Sequence, residues 1–348
     1  MKINFVLPAI GSSGGIDVVY KYVELLSERG HDVCVYKELC SSNMHRYHSV
    51  IKNTVHQVYC TLKAILQKKK WQHKEDIFVF KLNNKSISDA DAIIATAWPT
   101  AFRIANLSEQ KGKKYYFIQD YEIWDNSELV KSSYKLPLKK IVISTWINNC
   151  LKSDLGIGPF PIVYNGIDLN IYHHVDVVKE KDEIAFLMLN HSLPKKGVKN
   201  GLKVFEEVKK RYKNCKLRMF GMCDDSNLPS YVEYYQNPSK QELLELYSKS
   251  DIFIFPSLEE GWGLTPLEAM ACGCIVVGTR TGFVLDFGIH EENMMISEPG
   301  NIDMMVNNIR KILEDPYLSE KIKNNEYKII ENLSWENSGN SFNSLIKF

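Results

Sequence analysis

The chain has 348 residues, 45% of them hydrophobic and 24% charged, and a formal net charge of +1. These proportions belong to a folded globular protein and exclude disordered, collagen-like and coiled-coil readings. No apolar run approaches the roughly 20 residues that span a bilayer, and the opening MKINFVLPAI has neither a basic leader nor a small-residue cleavage site. The chain is therefore expected to be neither secreted nor membrane-spanning.

In chain order, KINFVLP (2–8) reads as a buried strand, and IDVVYKYVELLSERG (16–30) places Val19, Tyr22, Val23 and Leu26 at helical spacing before Gly30. Strands follow at DVCVY (32–36), DAIIAT (91–96), KYYFIQ (114–119) and KIVIST (139–144), with helices at WPTAFRIANL and STWINNCLK. Such βα repeats imply a parallel sheet covered by helices on both faces. The pattern restarts after GIGPFP (156–161) and the short strand and turn IVYNGID (162–168). Strands are expected at 183–189, 215–221, 251–257 and 274–279, with helices at about 198–213, 239–249, 265–272 and 301–314 and a polar helical stretch beyond about 316. Ser239 and Glu242, after Pro238, have the spacing of a capping box. The sequence predicts an α/β protein of two successive doubly wound, Rossmann-like domains, as a length of two times roughly 150 residues allows.

The eight cysteines are scattered, with no Cys-x-x-Cys pair, which fits a reduced cytosolic compartment. Up to residue 165 there are 22 Lys and Arg against 15 Asp and Glu, and beyond it 21 against 27. The basic first half suits an anionic acceptor or a membrane surface, whereas most basic faces are merely solvated. The run QKKKWQHK (67–74) reads as a solvated helix face, with contact to anionic lipid as the alternative. No nucleic-acid module surrounds it.

In a doubly wound sheet, ligands bind beyond the carboxyl ends of the strands. Two turns fall there. IGSSGG (10–15) follows the first strand, and its Gly11, Gly14 and Gly15 lack the Gly-x-Gly-x-x-Gly spacing of a dinucleotide site. FPSLEEGWGLTPLEAMACG (255–273) sets Glu260 and Glu268 either side of a glycine-bearing turn that opens a helix. Thr265 is a natural cap for that helix, Pro266 suits its first position, and Glu268 could close a Thr-x-x-Glu box and do nothing more. The alternative is an anion site at a helix N-terminus, with carboxylates placed to bind sugar hydroxyls.

EGWGLTPLEAMACGCIVVGT resembles the Glu-x7-Glu segment of retaining family 4 glycosyltransferases of the GT-B fold. Gly14 and Gly15, VYNGID (163–168), PKKG (194–197), FGMCDD (220–225) and SWEN (334–337) fall in that family's order. The resemblance covers nearly the whole chain. It implies two Rossmann-like domains facing across a cleft: an acceptor domain at 1–165, a nucleotide-sugar domain at 166–332, and a C-terminal helix at 333–348 crossing back to the first. It further implies that Glu260 contacts hydroxyls of the donor sugar, that Glu268 holds the ribose, and that Gly263, Leu264 and Thr265 offer backbone N–H groups to the pyrophosphate. Lys196 would neutralise the departing diphosphate, and Gly14 and Gly15 would line the phosphate and acceptor cleft.

Two positions depart from the family pattern. His191 stands where the family usually has an arginine, and Gln119 where many members have a histidine. IQDYE (118–122) resembles a subset that includes bacterial rhamnosyltransferases of surface polysaccharides, and Asp120 is its best acceptor-facing polar candidate, unless it only caps the helix that follows. The resemblance implies no required cofactor and no metal. The expected partners are a UDP, GDP or dTDP sugar as donor and a saccharide or lipid-linked acceptor, and the expected location is the cytoplasm, with peripheral contact at the inner face of the membrane as a further option. Rival readings are a metal-dependent GT-A transferase, for which Asp89-Ala-Asp91 supplies an Asp-x-Asp string, an epimerase or phosphorylase of the same fold, and a non-catalytic partner protein. Asp224 and Asp225 could hold a cation, with a solvated loop as the plainer account.

Overall fold

The computed structural model describes residues 1–8, 13–39, 50–123, 127–180 and 182–347. Gly11 of the first glycine turn and Cys40 lie outside the described residues. The chain divides into two compact units, one of Met1–Ile143, Ile147–Tyr164 and the segment from Glu336, the other of Ser144–Trp146 and Asn165–Trp335.

The first unit runs β1 (Lys2–Leu7), α1 (Gly14–Glu28), β2 (Asp32–Glu38), α2 (Val50–Gln67), β3 (Asp76–Val79), β4 (Ala92–Ala95), α3 (Trp98–Ala105), β5 (Lys113–Ile118), α4 (Ser127–Tyr134), β6 (Lys139–Val142) and α5 (Thr145–Leu155). Its six strands are parallel in the order β3-β2-β1-β4-β5-β6. The second contains β7 (Ile184–Leu189), α6 (Val198–Arg211), β8 (Cys215–Gly221), β9 (Val232–Gln236), α7 (Lys240–Lys249), β10 (Ile252–Phe255), α8 (Leu264–Ala271), β11 (Ile275–Thr279), α9 (Val284–Phe287), β12 (Met295–Ser297), α10 (Ile302–Glu314) and α11 (Pro316–Asn332). Its parallel order is β12-β11-β10-β7-β8-β9. Each sheet starts at a central strand, winds outward one way and then the other, so the order reverses between β1 and β4 and again between β7 and β10. A crevice at the carboxyl ends follows from that reversal.

Central strands such as β4 (AIIA) and β10 (IFIF) are buried at every position, as helices on both faces require. In the second unit Phe186, Met188, Leu217, Ile254 and Val277 pack with Phe205 of α6 and Ile309 of α10. The last helix, α12 (Trp335–Lys347), belongs to the first unit from Glu336 onward. There Phe342 is fully buried, with its ring 4.8 Å from Tyr22, 5.1 Å from Phe117 and 6.1 Å from Phe5. The Arg29 guanidinium donates to Asn340 Oδ1 at 2.8 Å, which ties α12 to the end of α1.

Ser239 caps α7 with the reciprocal Glu242 bond, as its spacing predicts. The other predicted box is absent. α8 starts at Leu264 with Gly263 as its cap residue, so Thr265 and Pro266 lie inside the first turn, and Glu268 bonds elsewhere. The short strand expected from 162 is reduced to isolated bridges, Val142 with Ile162 and Ile167 with Ser334. Gly166 is pressed against the chain there, since a Cβ would fall 2.3 Å from the Trp335 nitrogen. VYNGID and SWEN are thus two sides of one contact.

Candidate functional site

Three loops meet at the carboxyl ends of β7 and β10. The chain leaving β7 passes through His191 into a single 3-10 turn, Pro194–Lys196, and Gly197. The Lys195 carbonyl accepts the amides of Leu258 at 2.6 Å and Glu259 at 3.3 Å, which stitches this turn to the loop after β10. Gly197 has φ +65°, and a Cβ there would lie 2.0 Å from the Pro256 carbonyl oxygen, so the Lys-Gly pair answers to a close backbone approach. Beyond β11, Gly282 (φ +56°) brings a third loop against Trp262, whose carbonyl accepts the Phe283 amide at 2.8 Å.

Lys196 and Glu260 are thereby brought together. The ammonium donates to both carboxylate oxygens, at 2.7 and 2.5 Å, and the two side chains are only 18% and 12% exposed. Ser257 donates to Glu260 Oε2 at 3.3 Å, and the Glu260 amide donates to Thr281 Oγ1 at 3.0 Å. His191 Nδ1 accepts the Leu193 amide at 3.0 Å, which leaves the imidazole proton on Nε2. Burial, and then the charges of Lys196 and Lys195, hold its pKa below the ordinary value, so the ring is neutral near pH 7.

Glu268 lies on α8 in a different setting. Tyr247 donates to its Oε2 at 2.8 Å and Tyr172 supplies a second bond, while burial raises its carboxyl pKa. A carboxylate held by two phenols has fixed orientation without a compensating cation in contact, a form suited to receiving hydroxyl donors. Gly263 (φ +96°) takes a conformation only glycine adopts easily. It gives α8 no side-chain cap, so no capping side chain occupies the Leu264 and Thr265 amides at the helix start.

In the first unit, Gly14 and Gly15 form the first turn of α1 behind the cap Ser13. The Gly15 carbonyl accepts Gln119 Nε2 at 3.1 Å, so the residue that replaces the histidine ties β5 to α1. Asp120 Oδ1 accepts the amide of its neighbour Tyr121 at 2.8 Å. The Asp-x-Asp string serves the other edge of the sheet: Asp89 pairs with Lys111 at 2.7 Å and Asp91 accepts the Lys2 amide at 2.7 Å. Asp224 is bound by Ser226. Sequence reasoning missed Ser257, Thr281, Tyr172 and Tyr247. Ser257 alone carried a signal, three residues before Glu260 at the end of a strand; the others are delivered by separate elements.

Residues 173–329 match the profile of the family described as Glycosyl transferases group 1. The chain is 23% identical to the capsular polysaccharide biosynthesis glycosyltransferase CapM of Staphylococcus aureus, across 100% of this chain and 99% of that protein. Among solved structures it is similar to the sucrose-phosphate synthase of Thermosynechococcus elongatus, with a TM-score of 0.75 at 18% identity over 100% of this chain and 98% of that one. It is also similar to Anabaena HepE in complex with UDP and glucose, with a TM-score of 0.70 at 13% identity over 100% and 99%. The architecture is that of GT-B glycosyltransferases, and the sequence matches support transferase activity of that kind.

Proposed function

We propose that this chain is a retaining glycosyltransferase of family 4, moving a hexosyl or deoxyhexosyl group from a nucleoside diphosphate sugar to a saccharide or lipid-linked acceptor in surface polysaccharide assembly. The observation that carries the reading is the Lys196 to Glu260 pair beside the start of α8, at the carboxyl end of a doubly wound sheet. The names of CapM and of the UDP-bound HepE point the same way.

In this reading the pair changes partners when donor binds. Lys196 turns its ammonium to the diphosphate, and Glu260 receives sugar hydroxyls in exchange. The Leu264 and Thr265 amides and the Nε2–H of His191 add neutral donors to the phosphates, with Gly263 letting them approach. Glu268 accepts the ribose hydroxyls. The bond from the anomeric carbon to the diphosphate oxygen breaks, and the acceptor oxygen bonds to that carbon on the same face. The acceptor's proton passes to the departing phosphate oxygen. The protein's share is orientation and stabilisation of charge on the leaving group. Gly14 and Gly15 of the first unit line the phosphate and acceptor cleft, and Asp120 faces the acceptor. The donor is a UDP, GDP or dTDP sugar, with dTDP-rhamnose favoured by IQDYE, and the protein works at the cytoplasmic face of a membrane.

Calorimetric titration with UDP, GDP, dTDP and ADP and their sugar conjugates in metal-free buffer tests this. One nucleotide should bind and raise the melting temperature with concentration. Folded protein that binds none of them overturns the reading. Proton NMR of the product then decides whether the anomeric configuration is retained.

A further inference from the structure

Helix α2 is turned inside out. Ile51, Val55, Val58, Tyr59, Leu62 and Leu66 recur at spacings of three, four and seven residues, which gathers them into one apolar stripe along its length. An ordinary surface helix buries such a stripe. Here Ile51 is 76% exposed, Val55 64%, Tyr59 61% and Leu66 83%, with Val58 and Leu62 also exposed. The half-buried face is the opposite one, made of His56, Gln57, Cys60, Thr61 and Ala64. Phe80, just past the edge strand β3, adds a further exposed ring at 65%.

The charge around the stripe is of one sign. Residues 50–74 contain six lysines, two histidines and no aspartate or glutamate. Lys52 and Lys63 lie beside the stripe, and Lys69, Lys70 and Lys74 are exposed in the turn and segment that follow. A second copy of the helix laid on this face would set two acid-free basic segments against each other, at a repulsive cost. No helix among the described residues is long and apolar enough to cross a membrane. An apolar stripe rimmed by lysine, with a tyrosine within it, matches a helix that lies in the plane of a lipid headgroup layer.

We propose that α2 and the basic turn after it dock this protein on an anionic phospholipid bilayer, with the stripe from Ile51 to Leu66 in the acyl boundary and the lysines against lipid phosphates. The inference does not depend on the transferase reading. Its two components act together, because apolar burial and electrostatic attraction add in such helices and neither alone suffices for stable attachment.

Sedimentation with vesicles is the test, using phosphatidylcholine alone and phosphatidylcholine with phosphatidylglycerol in equal parts. Wild-type protein should pellet with the anionic vesicles and be released by salt. Val55→Glu combined with Leu62→Glu should weaken binding by roughly tenfold or more, as should Lys69→Glu combined with Lys70→Glu. All four side chains are exposed, so melting temperature and nucleotide binding should stay at the wild-type level. Protein left in the supernatant with both vesicle types, or binding both equally, overturns the proposal. So does a dimer in sedimentation equilibrium that the Val55 and Leu62 variant dissolves while vesicle binding is absent. Vesicle binding without any nucleotide binding would remove the transferase reading and leave this one standing.

Discussion

At the amino edge of the second unit's sheet, a cavity of about 210 Å³ is lined by Lys179, Lys216, Arg218 and Lys249 and by Glu180, Glu183, Glu233 and Asp251. Arg218 there reaches Glu183 at 2.9 Å and Glu233 at 3.4 Å, and Lys216 reaches Glu233 at 3.0 Å. At the carboxyl edge, Lys196 holds Glu260 within a ring of hydroxyls and loop backbone. Both edges gather the same residue types. At the amino edge the cations and carboxylates interlock and cancel, so an incoming anion would have to break several bonds to gain one. At the carboxyl edge one pair stands beside a helix start and a neutral imidazole, and a diphosphate can take over its cation in a single exchange. The amino-edge cavity is thus closed to an anion by its own ion pairs, and the carboxyl edge is the one that a doubly wound topology offers to a ligand.

The comparison is broken or sharpened most by Lys196→Ala. On the proposed role of Lys196 at the leaving diphosphate, kcat should fall by about 10²–10³; unchanged turnover would reduce the carboxyl-edge pair to a structural bridge. Next in size, Glu268→Gln should weaken nucleotide affinity by roughly 10- to 100-fold, the loss of charged hydrogen bonds to the ribose. The same variant should not lower the melting temperature of the free protein. Because burial raises the Glu268 pKa above its ordinary 4.5, its contribution to stability is full at low pH and is lost as pH rises through the folded value, a loss that glutamine, which does not ionise, does not suffer. A glutamate that served only to stabilise α8 would give the reverse pattern in calorimetry and thermal melts.

Arg218→Met makes the opposite case. It strands Glu183 at the amino edge and leaves Glu233 to Lys216 alone among the cations, and it should cost about 1–3 kcal/mol of stability in urea melts, with kcat and nucleotide affinity unchanged. The smallest effect concerns His191. Its depressed pKa, below 6.5, should rise when a diphosphate binds beside it, so nucleotide affinity should increase as pH falls through the bound-state pKa and level off below the free one. Replacing His191 by Gln should flatten that pH profile in calorimetry. In the free protein the same depression means stability is complete above 6.5 and declines as pH drops through the folded pKa.

The strands read correctly from sequence are mostly the central ones, β1, β4, β7 and β10 among them, because burial on both faces writes a continuous apolar run. β3, β9 and β12 went unread, and all three are sheet edges. β9 (VEYYQ) is half-buried, and β12 has only three residues, so neither carries a periodic signal. The same limit applies to the site. Glu260, Lys196 and Glu268 are recognisable by motif, whereas Thr281 and Tyr247 reach them through turns of the fold that no local spacing encodes. The cap was misassigned to Thr265 because Thr265-Pro266 has the composition of a helix start, whereas Gly263, at positive φ and packed against Phe255, starts the helix two residues earlier. α2 shows the limit most clearly: periodicity reveals that a helix has an apolar side, but not whether the protein or its surroundings will cover it.

The burial of Phe342 among Phe5, Tyr22 and Phe117 has a consequence for synthesis. The ribosome releases the first unit's six strands long before the helix that fills this aromatic nest, and the whole of the second unit is translated in between. The unit begun first is thus finished last, and a nascent chain that stops short of α12 leaves three core rings facing water while its second unit is already whole. A chain ended after Ser334 should accordingly show a protease-sensitive first unit beside a resistant second one, an order of maturation set by the thirteen residues of α12.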